Sequence, residues 1–118
     1  MNYEDMSDFE INKAVLLVED VDGDIESITC RNTKLKCINS VAVVKFKGID
    51  EPARYNPCNN PSDAWSIIVE NKIAVWPESH GEWQAMRSIK GKSHIRSINK
   101  NPLRAAMICF LKMKDAEK

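Results

Sequence analysis

The pattern Asn-Pro-x-x-Ala-x-x-Ile occurs twice in this chain, as Asn60-Pro61-Ser62-Asp63-Ala64-Trp65-Ser66-Ile67 and as Asn101-Pro102-Leu103-Arg104-Ala105-Ala106-Met107-Ile108. Each copy marks a helix start. The Asn side chain can accept from the orphan backbone N–H groups of the first turn. Proline at the first helical position loses nothing, because its missing N–H would have had no partner there. Such a start arises readily by convergence, and the residues flanking the two copies do not support a duplication. A third start lies at Ser7-x-x-Glu10, where hydroxyl and carboxylate can satisfy one another's backbone donors in a capping box.

These starts predict three helices. The first runs from about Asp8 to Val18, with Ile11, Ala14, Val15 and Val18 as its buried stripe and Phe9 and Leu16 widening it. The second begins at Pro61, buries Ala64, Trp65, Ile68 and Val69, and ends at Asn71. The third begins at Pro102 and buries Leu103, Ala106, Met107, Phe110 and Leu111. The intervening stretches read as strands over 25–31, 35–46, 73–76, 83–89 and 93–98, rich in β-branched residues and bounded by turn residues. Residues 48–58, with Pro52 and Pro57, read as a loop. A two-residue turn at Lys90-Gly91 would pair Met86 with Ile95 and Trp83 with Ile98, placing Arg87, His94 and Arg96 on the face of Trp83. The expected fold is α+β in the order α-β-β-α-β-β-β-α: an antiparallel sheet of about five strands covered by helices on one face. At 118 residues, the chain fits a single domain, 1–118.

Charge is balanced overall, with 17 Lys and Arg against 17 Asp and Glu, but it is unevenly placed. Residues 1–26 carry nine acids and one Lys, whereas residues 83–104 carry six bases and no acid. The balance excludes a wholly basic nucleic-acid binder and leaves room for local patches. No apolar run approaches the ~20 residues needed to span a bilayer. The acidic start Met1-Asn2-Tyr3-Glu4-Asp5 lacks the basic character of a signal peptide, so a cytoplasmic location and no membrane partner are expected.

Four cysteines, Cys30, Cys37, Cys58 and Cys109, include no C-x-x-C pair, and the expectation is reduced structural thiols and no metal. The acidic run from Asp20 to Asp24 fails as a calcium loop, because Gly23 is misplaced and Arg31 stands where a bidentate Glu belongs. A turn at Asp22-Gly23 is the simpler reading. No nucleophile elbow or phosphate-cradling glycine loop is present, so no catalytic residue and no cofactor are assigned. Cys58, just before a helix start, is the one nucleophile candidate for a small enzyme.

Two binding readings remain. Trp76 and Trp83 flank a turn and could anchor a protein partner, since interface anchors are often Trp, Tyr or Arg. Alternatively, Arg87, His94, Arg96, Lys100 and Arg104 could carry a basic ribbon and helix start onto nucleic acid. The helix, three strands, helix order from residue 61 also occurs in double-stranded RNA-binding domains, an analogy of fold order alone.

Three blocks resemble the NinX-like family of small lambdoid phage and prophage proteins. They are Asp8-Phe9-Glu10-Ile11-Asn12-Lys13-Ala14-Val15; Cys58-Asn59-Asn60-Pro61-Ser62-Asp63-Ala64-Trp65 continuing through Ile67-Ile68-Val69-Glu70-Asn71-Lys72-Ile73; and Asn101-Pro102-Leu103-Arg104-Ala105-Ala106-Met107-Ile108. Segments 19–57 and 77–99 resemble it less. The resemblance implies a phage-encoded accessory protein acting in the bacterial cytoplasm and carries no catalytic residues. Asn59, Asn60, Asp63, Trp65 and Glu70 are its polar or aromatic matches, and of these Asn59, Asn60 and Asp63 are candidate binding residues. Taken together, these readings favour a non-enzymatic module that binds a host or phage protein, with nucleic-acid binding as the alternative.

Overall fold

Ser7 starts the first helix as the capping box requires: Glu10 N–H donates to Ser7 Oγ (3.1 Å), and Ser7 N–H donates to Glu10 Oε1 (3.3 Å). The computed structural model describes residues 2–20, 22–33, 36–88 and 94–117. The chain divides into two compact units, 1–56 and 57–118.

In the first unit, a 3-10 turn over Tyr3–Asp5 precedes helix α1, Asp8–Glu19. Strands β1 (Ile25–Thr33), β2 (Lys36–Phe46) and β3 (Ala53–Tyr55) form an antiparallel sheet in that order. Side chains alternate along a strand, so Ala42 and Val44 reach the core together. They meet Leu16 of α1, with Phe9, Ile25, Ile28, Phe46 and Tyr55 packed around. The buried stripe of α1 is Ile11, Asn12, Val15 and Leu16, while Val18, expected inside, is 38% exposed. The apolar run Val15-Leu16-Leu17-Val18 goes most of the way round the helix, so one side of it must face out. Strand β3 occupies part of the expected loop; its backbone pairs Ala53 to Tyr55 with Val44 to Ala42. The acidic turn serves its own backbone: Asp20 accepts from Asp24 N–H (3.0 Å) and Ile25 N–H (3.3 Å).

In the second unit, helix α2 (Pro61–Glu70) is followed by β4 (Ala74–Pro77), β5 (Trp83–Arg87) and β6 (Ile95–Asn99), then helix α3 (Pro102–Ala116). The three strands form a second antiparallel sheet in the order β4-β5-β6. The α+β class and the antiparallel pairing stand, but the six strands among the described residues divide into two sheets instead of joining in one. Helix α3 is buried at every position from Arg104 to Leu111, because α2 and all three strands pack around it.

The β5–β6 register differs by one residue from the expected one. Trp83 pairs with Asn99, Met86 with Arg96 and Arg87 with Ile95. A one-residue slip exchanges the faces of a whole strand. Arg87 therefore lies on the face of Trp83 and Ala85, whereas Arg96 lies on the opposite face with Met86, Gln84 and Trp76. The Lys90-Gly91 turn on which the expected register rested lies outside the described residues, as does the Lys34–Leu35 connection.

The end of α2 is a Schellman motif. Ile73 N–H donates to Ile68 C=O (3.0 Å) and Lys72 N–H to Val69 C=O (3.2 Å). This closure requires a left-handed residue, usually glycine, and here Lys72 takes that place at φ 53°. Among the described residues, no helix is long and apolar enough to cross a membrane.

Candidate functional site

Asn101 joins the two helix starts of the second unit. Its Oδ1 accepts from Leu103 N–H (2.9 Å) and Arg104 N–H (3.3 Å), capping α3. Its Nδ2 donates to Cys58 C=O (2.7 Å) and to Asn59 Oδ1 (3.1 Å), in the turn that leads to α2. Asn60 caps α2 by accepting from Ser62 N–H (3.0 Å). Asn59, Asn60 and Asn101 are thus engaged with one another or with helix backbone. Asn59 and Asn60, expected as binding candidates, hold the two starts in place, and Asp63 sits half-buried in the first turn of α2.

With both starts held in this way, α2 presents two different faces. Ala64 and Ile67 are buried. Trp65, expected inside, is 66% exposed, and Val69 is 52% exposed. The apolar residues of α2 make a stripe wider than its neighbours cover, and α3 takes the edge marked by Ala64 and Ile67.

The uncovered edge lines a groove of about 590 Å³. Trp65, Ile68 and Val69 form one wall, Val75 and Trp83 the sheet side, and Leu103 belongs to the first turn of α3. Pro61 and Pro102, the first residues of the two helices, also border it. Lys72 is the one charged residue among the described residues that line it. Such a hollow can hold apolar side chains and offers one cation, the Lys72 ammonium, at its margin.

The other sequence candidates fall elsewhere. Trp83 enters the groove, but Trp76 lies on the opposite face of the sheet, its Nε1 donating to Glu78 Oε1 at 2.9 Å. Arg104 is 9% exposed, which removes it from the surface where a phosphate would be met. Arg87 donates to Ser88 C=O (2.9 Å), while His94, Arg96 and Lys100 are exposed. Arg87 and Arg96 do not share a face, so the expected basic ribbon does not form as drawn. Trp65 and Lys72 are not among the binding residues that the sequence suggests: helical spacing assigns the Trp to the core, and nothing local marks the Lys.

Cys58 is fully buried, which denies it the access a nucleophile needs. Cys109 is also buried, and burial pushes its thiol up from 9.0 to about 11. Both thiols are expected to resist alkylation in the folded chain and to react once it is denatured. Rapid labelling of Cys58 in the folded protein, followed by mass spectrometry, would contradict this. The Cys109 shift also has a pH signature. The unfolded thiol ionises near 9.0 and the folded one near 11, so its contribution to stability is intact below that window and is lost as pH rises through it. The urea midpoint should therefore fall across that range, and Cys109→Ala should flatten the fall.

No curated protein sequence matches this chain. The family model described as Bacteriophage P22, NinX matches residues 2–114, running through the segments that carried little resemblance by themselves as well as through the three blocks, and the chain belongs to that phage protein family.

Proposed function

We propose that this protein is a non-enzymatic binding module of the phage, working in the cytoplasm of the bacterial host, and that the groove of the second unit receives a protein partner. The observation that carries this reading is Trp65. A tryptophan that is 66% exposed beside a 52% exposed valine leaves apolar surface in water without benefit to the fold. Buried on association, such a residue is the kind of anchor that dominates interface energies.

The test is a tagged pull-down from infected host lysate, with and without nuclease, using the wild-type chain and Trp65→Ser. Capture of a protein that survives nuclease and is lost in Trp65→Ser is the expected result. Capture that ignores the substitution, or that nuclease abolishes, would overturn the reading. Because Trp65 contributes little buried area, the variant should melt with the wild type, and a coincident thermal scan separates lost binding from lost fold.

The nucleic-acid alternative draws on the order of α2, β4, β5, β6 and α3. Order alone does not bring function, and phosphate contacts need exposed cations on one surface. Burial of Arg104 and the opposed faces of Arg87 and Arg96 work against it. A gel shift with DNA and RNA at low salt is expected to show nothing, and a shift that weakened as salt rose would restore the alternative.

A further inference from the structure

Resting on the groove reading above, we infer that the segment received is an acidic amphipathic helix of a protein partner. The groove wall is a helix face, with Trp65, Ile68, Val69 and Lys72 spaced i, i+3, i+4, i+7 along one side of α2 and its C-terminal closure. Lys72 stands in the closure just past the last turn of α2, at the opposite end of that stripe from Trp65. A second helix laid in the groove can place one apolar turn on Trp65, Val69, Trp83 and Leu103, and a residue further along at Lys72.

Charge selects the class of helix. Among the described residues, the Lys72 ammonium has no hydrogen-bond or ion-pair partner, and it stands beside an otherwise apolar lining. The unit around it, residues 57–118, contains ten Lys and Arg against six Asp and Glu. A carboxylate at the groove end would meet the attractive charge of Lys72, whereas a basic helix would meet repulsion from it. Position 72 adds a second reason. Its left-handed backbone favours glycine on steric grounds, yet it carries the long cationic side chain that reaches the margin of the groove.

The experiment uses the full chain and two synthetic peptides of about 15 residues, a length that forms roughly four helical turns. Both carry Leu at the same helical spacing. One has Glu at its polar positions, and the other has Lys. Affinities are read by calorimetry. The acidic peptide should bind about ten-fold more tightly than the basic one, with the difference shrinking as salt rises. Lys72→Glu should reverse the order of the two. Lys72→Gly should raise the melting temperature, since it relieves the left-handed residue, and at the same time abolish the preference. Trp65→Ser should weaken both peptides. Equal affinity for the two peptides, with dependence on Trp65 retained, overturns the acidic class and leaves the groove reading standing. Failure of the acidic peptide to bind overturns the inference. Self-association of the chain that Trp65→Ser dissolves, seen by sedimentation, overturns it in favour of a second copy as occupant.

Discussion

Asn101→Ala should destabilise the protein by about 2–3 kcal/mol, through loss of a helix cap worth ~1 kcal/mol together with two hydrogen bonds of similar individual size. The cap is the pair of bonds from Leu103 and Arg104 N–H to Oδ1; the others run from Nδ2 to Cys58 C=O and Asn59 Oδ1. The two roles separate by substitution. Asn101→Ser retains a capping oxygen but is too short to span to the turn before α2, so it should recover about 1 kcal/mol of the loss. Urea titration of the three proteins measures this. Equal stability of Ser and wild type would show that the link to Cys58 and Asn59 contributes nothing. Because the link sets where α2 begins, peptide binding in the groove should weaken in Asn101→Ser even where the fold persists.

The second large effect belongs to Asn12. This residue is fully buried on α1, and its Nδ2 donates to Asn56 Oδ1 at 2.8 Å, just beyond the end of β3. Asn12→Ala should cost about 2–4 kcal/mol, combining the lost bond with a void that the neighbours fill only in part. Asn12→Asp, nearly the same shape, should cost more at neutral pH, since it would place a carboxylate in the buried site facing the Asn56 oxygen. Burial raises the pKa of the introduced acid in the folded state. The destabilisation should therefore ease as pH falls through that raised value, where the neutral acid can donate to Asn56. A pH series of urea midpoints that showed no recovery on acidification would contradict the assigned role of the Asn12 amide as a buried donor.

Both residues lie within the blocks that resemble the phage family. Asn101 was legible as a cap, because capping depends on groups three residues away. Its second role was not, because Cys58 and Asn59 are more than forty positions distant. Asn12 stands beside the apolar stripe of α1, and a polar residue in such a place usually faces water. Its burial follows from the place where β3 ends, and β3 was itself read as loop because two prolines flank its three residues.

The candidate site shows the same division. Helical spacing placed Trp65 on an apolar edge of α2, which is correct as local geometry. Periodicity reports that an apolar stripe exists and cannot report which part of it a neighbour will cover. Here α3 covers the edge of Ala64 and Ile67 and leaves Trp65 and Val69 open. The basic ribbon failed for a related reason. Alternation along β5 and β6 was visible, but the faces of the two strands are matched by register, and a single residue separates a shared Arg face from a divided one.

By itself the sequence determined the α+β class, the three helix starts at Ser7, Asn60 and Asn101, the family, and the uneven placement of charge. These depend on the order of residues or on bonds within one turn. Tertiary structure alone decided that the described strands form two sheets, that Cys58 and Arg104 are buried, and that Trp65, Trp83 and Lys72 border one groove. Those outcomes depend on which surfaces pack together, and packing is settled by contacts between residues far apart in the chain.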